Sequence, residues 1–119
     1  MVAALEAADG PAIAELLADD VVYHFPGRSP LAGTYQGKAE IMGLFRSIAA
    51  TLGAPPGLRS HDVLASEAHA LDLAIHSAKR GGRPFEWRAI RLYHFGEGGL
   101  VTEIFLTIED LHAFDEYLA

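Results

Sequence analysis

There is no cysteine in the chain, which excludes disulfides, thiolate metal sites and cysteine nucleophiles. Positive charge is scarce: nine Lys and Arg stand against sixteen Asp and Glu, for a formal net charge of −7. A phosphate-binding surface needs clustered positive charge, so neither nucleic acid nor an anionic membrane is expected as a partner. No apolar run approaches the roughly eighteen residues that a membrane-spanning helix requires. The opening residues Met1-Val2-Ala3-Ala4-Leu5-Glu6 carry neither a basic leader nor an apolar segment of signal length, and a cytoplasmic location is the expectation. Gly-x-Ser-x-Gly, phosphate-loop and dinucleotide fingerprints are also missing.

What remains is a chain of 119 residues, half of them apolar, without repeats or linkers, which fits one globular domain over 1–119. Met1 to Ala8 is helical by propensity, and Asp9-Gly10-Pro11 interrupts it. Asp9 can cap a second short helix with Ile13, Leu16 and Leu17 on one face. A strand Val21–Phe25 follows, then a loop from Pro26 to Gly37. Lys38 to Leu52 is the strongest helix, with Ile41, Leu44, Phe45, Ile48 and Leu52 in one stripe. Beyond Gly53-Ala54-Pro55-Pro56-Gly57 the period changes from helix to strand. Four strands are expected, over Arg59–Ser66, His69–Lys79, Phe85–Phe95 and Leu100–Ile108. A closing helix spans Asp110 to Leu118. This order is α+β.

Turn chemistry sets the pairing. Centring the turn on Gly81-Gly82 puts Asp72 opposite Arg91, His76 opposite Trp87, Leu73 opposite Ile90 and His69 opposite His94. A three-residue turn at Glu97-Gly98-Gly99 puts Leu92 opposite Ile104 and Ile90 opposite Leu106. The inner, helix-facing side then reads Leu71, Leu73, Ile75, Ile90, Leu92, Ile104, Leu106 and Ile108. The outer side reads Phe85, Trp87, Tyr93 and Phe105 among the small Ala74 and Ala89, with Asp72–Arg91 as an ion pair. Aromatics among small residues make an expected homodimer interface.

Three stretches carry a resemblance. Glu15-Leu16-Leu17-Ala18-Asp19-Asp20-Val21-Val22-Tyr23-His24-Phe25-Pro26 is followed by Leu31-Ala32-Gly33-Thr34-Tyr35-Gln36-Gly37-Lys38 at the start of the long helix. Gly99-Leu100-Val101-Thr102-Glu103-Ile104-Phe105 closes the pattern. Over nearly its whole length the chain resembles the SnoaL-like group of the nuclear transport factor 2-like (ketosteroid isomerase-like, cystatin-like) superfamily. The resemblance implies a cone, in which a curved, mostly antiparallel sheet wraps around helices with an apolar pocket between. It also implies dimers, and activities among polyketide cyclases, ketosteroid isomerases and epoxide hydrolases. The reagents of those enzymes do not carry over. Leu106 stands where the cyclases have an acid–base Asp, and Phe25 where the isomerases have their general base. The isomerases' oxyanion-hole tyrosine would fall near Met1, and the hydrolases' Arg-x-Asp pair does not occur.

Candidate chemistry therefore comes from the pairing itself. Arg88, on the face read as inner and apolar, is either ion-paired with Glu86 or Asp110, or a clamp for a substrate oxyanion. Asp62, opposite Leu73, is either a proton shuttle of raised pKa or a solvated strand residue. His94 and His69 are either a polar rim or two ligands of a metal site that lacks a third. Tyr23 and Phe25 are expected to line the pocket, with Ile90, Leu92 and Leu106 on its sheet wall and Tyr35 as lid or loop anchor. His24, His61, His76 and His112 read as surface or interface residues. No cofactor or metal is expected. The leading function is a pocket for a small apolar molecule, and if an enzyme, an isomerase, cyclase or hydrolase of polycyclic or ketone-type substrates. The alternatives are a non-catalytic dimeric ligand-binding or assembly module, and a metal enzyme built on His69 and His94.

Overall fold

The computed structural model describes residues 10–119, so the helix expected over Met1–Ala8 lies outside the described residues. A short helix α1 (Gly10–Leu16) runs directly into strand β1 (Leu17–Phe25). Strand β2 (Gly33–Gln36) lies inside the segment expected to be loop. It folds back antiparallel on β1, with Tyr23 opposite Tyr35, an arrangement with no apolar alternation of its own to announce it. Then come helix α2 (Gly37–Leu52), strands β3 (Gly57–Ala65), β4 (His69–Arg80), β5 (Arg83–Phe95) and β6 (Val101–Ile108), and helix α3 (Leu111–Leu118). Among the described residues no helix is long and apolar enough to cross a membrane.

The six strands form one curved sheet in the order β2-β1-β6-β5-β4-β3, antiparallel except where β1 pairs with β6. It wraps around the helices as an α+β cone. α2 ends at Gly53, whose φ of 82° is a left-handed stop that suits glycine. α3 starts at Asp110, whose carboxylate accepts a hydrogen bond from the Ala113 N–H. Gly81 and Gly82 both take positive φ, as the two-residue hairpin turn demands. The β4–β5 register follows from that turn: Asp72 faces Arg91, His76 faces Trp87 and His69 faces His94.

The faces are the reverse of the expectation for β4 and β5. Trp87, Tyr93, Ala74 and Ala89 are buried under the helices, Phe85 is half-buried against the core, and Asp72 and Arg91 are enclosed with them. Ile90 is exposed, and Leu71, Leu73, Ile75 and Leu92 are only half-buried on the convex side. Alternation fixes which residues share a side but not which side is covered. β6 escapes the inversion. Its turn register begins as expected, with Phe95 opposite Val101, but a bulge beside His94 shifts it by one residue. Leu92 therefore faces Phe105, and Arg91 faces Leu106. The shift keeps Ile104, Leu106 and Ile108 on the concave side while β5 turns over beneath them.

Candidate functional site

Between α2, α3 and the concave face lies a cavity of about 580 Å³. α2 presents Met42, Phe45, Ile48, Ala49 and Leu52 to it, while Ile41 and Leu44 are buried in the core. β1 contributes Tyr23 and Phe25, the edge strand β3 Leu58, β4 to β6 His76, Trp87, Arg91 and Leu106, and α3 adds Phe114 and Leu118. Pro11, Arg46 and Pro55, the solvent-exposed members of the wall, mark its open side. A volume of this size holds a ligand of several fused or linked rings.

The polar groups of this wall are few and deeply set. Arg91 donates from Nη2 to Asp72 Oδ2 at 2.8 Å, with Asp72 wholly inaccessible and Arg91 5% exposed. Asp72 also accepts from the Ser60 hydroxyl at 3.0 Å. Two charges this far from water are tolerable only as a hydrogen-bonded pair. Burial works against the Arg91 charge, but Tyr93, Tyr23 and Asp72 outweigh it and hold its pKa above the usual value. Burial likewise raises the phenols of Tyr23 and Tyr93, opposed in both by Arg91. His76 stacks on Trp87 with ring centroids 5.3 Å apart and planes 9° from parallel. Burial, with Arg91 nearby, lowers its pKa from 6.5 to about 3, so the imidazole is neutral near pH 7. Among the described residues three buried polar atoms have no partner: His76 Nε2, Arg91 Nε and the Tyr93 hydroxyl.

Tyr23, Phe25 and Leu106 stand on the cavity wall. Ile90 and Leu92 do not, because the face inversion carries them to the convex side. Arg88 goes with them. Its side chain is 72% exposed and approaches Glu109 at 4.0 Å, so it neither clamps a ligand in the cone nor needs a buried partner. Asp62 does face Leu73, but across a bulge at the sheet edge, where it is exposed and off the cavity wall. His94 is on the convex side as well, edge-on to His69 at 4.5 Å and to Phe105 at 5.8 Å. Among the described residues no group of three His, Cys, Asp or Glu is placed to hold a metal. Tyr35 gives its hydroxyl to the Leu31 carbonyl at 2.6 Å, the loop-anchor alternative, and lies off the cavity wall. His76, read as a surface or interface residue, is instead part of that wall. One signal for it was in the sequence: the register already tied His76 to Trp87 and Asp72 to Arg91, so one face held all four.

Comparison with known families decides what this architecture is. The profile of the SnoaL-like domain matches residues 1–104. The chain belongs to the SnoaL-like family. No curated protein matches it by sequence. Among solved structures, Bal32a from a soil-derived mobile gene cassette is 25% identical, with a TM-score of 0.91 over 99% of this chain and 90% of that one. A cystatin-like protein of unknown function from Xanthomonas campestris is 19% identical, with a TM-score of 0.90 over 99% of this chain and 92% of its own. TerC, co-crystallised with polyporic acid, is 18% identical, with a TM-score of 0.85 over 98% of this chain and 91% of its own. The fold is the nuclear transport factor 2-like, ketosteroid isomerase-like cone.

Two outcomes test the electrostatics of the wall. Arg91→Met should cost about 3–5 kcal/mol in urea unfolding by stranding the Asp72 charge, and adding Asp72→Leu should recover much of that loss. The folded chain refuses a proton at His76 that the unfolded chain accepts below pH 6.5. This contribution to stability is full above about pH 6.5 and is lost progressively as pH falls toward about 3. His76→Phe should flatten the fall by up to about 1.4 kcal/mol per pH unit in that window, read from urea midpoints.

Proposed function

We propose that this SnoaL-like protein binds a small, largely apolar, ring-bearing molecule in the cavity between α2 and the concave sheet. One observation carries the reading: a cavity of about 580 Å³ whose wall is apolar except for a few side chains, among them Tyr23, His76 and Arg91 at the sheet. TerC, which shares the fold, was crystallised with polyporic acid, and that fits an occupant of this kind. Binding comes ahead of catalysis here because the described wall carries no Asp or Glu and its imidazole is too weak a base for work near neutral pH. Isomerase, cyclase or hydrolase chemistry on a ketone-type substrate would have to run through Tyr23, His76 and Arg91 as hydrogen-bond donors. A cytoplasmic setting, the expectation from composition, goes with this reading. Thermal-shift screening of polycyclic ketones should find compounds that raise Tm in the wild type. Ala49→Trp, which fills the cavity from α2, should abolish the shift while leaving a folded chain. Equal shifts in both proteins would place the ligand elsewhere.

A second reading concerns assembly. The convex side of β4, β5 and β6 exposes Ile90 and Phe105, at 42% and 37%, beside the half-buried Leu71, Leu73 and Leu92. A contiguous apolar surface on a central sheet favours a homodimer through this side. The expected interface residues change accordingly. Phe85, Trp87 and Tyr93 belong to the covered concave side, and of the aromatic set only Phe105 remains on the surface. Ile90→Lys should give monomers by sedimentation, with the cavity-dependent thermal shift preserved.

A further inference from the structure

The cavity wall and the chain as a whole differ in the sign of their charge. Asp and Glu outnumber Lys and Arg by sixteen to nine over the sequence, yet the described wall holds Arg46 and Arg91 and no Asp or Glu. The two arginines are not equivalent. Arg91, on the sheet, is 5% exposed, and Asp72 answers its charge at 2.8 Å. Arg46, on α2, is exposed at the open side of the cavity and takes part in none of the ion pairs among the described residues. Its guanidinium rests along the helix instead, with Nη2 3.7 Å from the position that a Cβ on Gly43 would take. The same helix turns Met42, Phe45 and Ala49 to the cavity, so Arg46 borders an apolar wall while its charged head stays in water.

Desolvation decides where a charge on a ligand can sit. A carboxylate carried to the sheet end would leave water for a place where Asp72 already neutralises the guanidinium. At the mouth the same carboxylate stays hydrated on one side and meets an uncommitted guanidinium on the other. An ammonium finds no carboxylate on the described wall, and Arg46 repels it at the mouth. We propose that the cavity takes a hydrophobic carboxylic acid, with its ring body inside and its carboxylate held at the mouth by Arg46. The inference rests on the cavity reading above and adds the charge and the orientation of the occupant. Arg46 then selects by charge, a task separate from the apolar fit of the body.

Fluorescence titration tests it at Trp87, which is the one tryptophan of the chain and part of the wall. Biphenyl-4-acetate, biphenyl-4-acetamide and 2-(biphenyl-4-yl)ethylammonium share one ring body and differ in the head group. The wild type should bind the acid about three- to fivefold more tightly than the amide, the scale of an ion pair near solvent, and the ammonium least. Arg46→Gln should bind acid and amide alike, and Arg46→Lys should keep part of the preference. Arg46→Glu should reverse the order, with the ammonium bound best, which no merely structural role of Arg46 would produce. The amide, without a charge to pair, should bind all four proteins alike. An acid bound no more tightly than the amide in the wild type, or an acid preference that survives in Arg46→Gln, would overturn the role of Arg46 and leave the cavity reading intact. No binding of any of the three to the wild type would overturn both.

Discussion

The Asp72–Arg91 pair joins the interior strands β4 and β5 on the side that the helices cover, with the carboxylate inaccessible and the guanidinium nearly so. Neither charge is tolerable there alone, and a slip of one residue in the β4–β5 pairing would separate them onto opposite faces. The ion pair and the Gly81-Gly82 turn therefore specify the same register from two ends of the hairpin. Its influence reaches the neighbouring groups. Arg91 helps keep His76 neutral, and it opposes the burial that raises the phenols of Tyr23 and Tyr93. An apolar cavity thus acquires a fixed polar end without any group whose charge changes near pH 7.

Pairing was legible in the sequence because turn chemistry is local. Two glycines at positive φ admit one kind of hairpin, and every β4–β5 partner follows by counting. Which side of that hairpin faces the helices was not legible, and the reason is physical. Both sides are apolar enough to be core: one carries Leu71, Leu73, Ile75, Ile90 and Leu92, the other Trp87, Tyr93 and small alanines. Branched aliphatics look like core by hydropathy, yet aromatic and alanine side chains form the face that packs under α2 and α3. The charged pair placed on the outer face is instead a buried pair. The bulge beside His94 was equally invisible, since it depends on how β6 meets β5 and not on composition.

The same reversal accounts for the candidate site residue by residue. Tyr23 and Phe25 are on the cavity wall because β1 has one clearly apolar side. Leu106 is there because the bulge compensates for the inversion of β5. Arg88, His94, Ile90 and Leu92 share one parity on β5 and were all displaced together. Asp62 kept its partner Leu73 and went with it to the convex side. Reading His76 as a surface residue was the same error seen from β4, since it shares a face with Asp72.

Leu106 gives the position its meaning. The family resemblance places the cyclases' acid–base carboxylate at this point of β6, and the register sets Leu106 directly opposite Arg91. An aspartate there would give the guanidinium a carboxylate from β6, facing into the cavity. With leucine, Arg91 takes its carboxylate from the other neighbouring strand, as Asp72 of β4, which is enclosed and shares its second bond with Ser60. In this chain the carboxylate paired with Arg91 lies off the cavity wall. The polar side chains of the cavity wall at this point are then Arg91, held by Asp72, and the neutral ring of His76. The described cavity wall therefore carries no Asp or Glu at the point where the cyclases that the sequence resembles place their acid–base group.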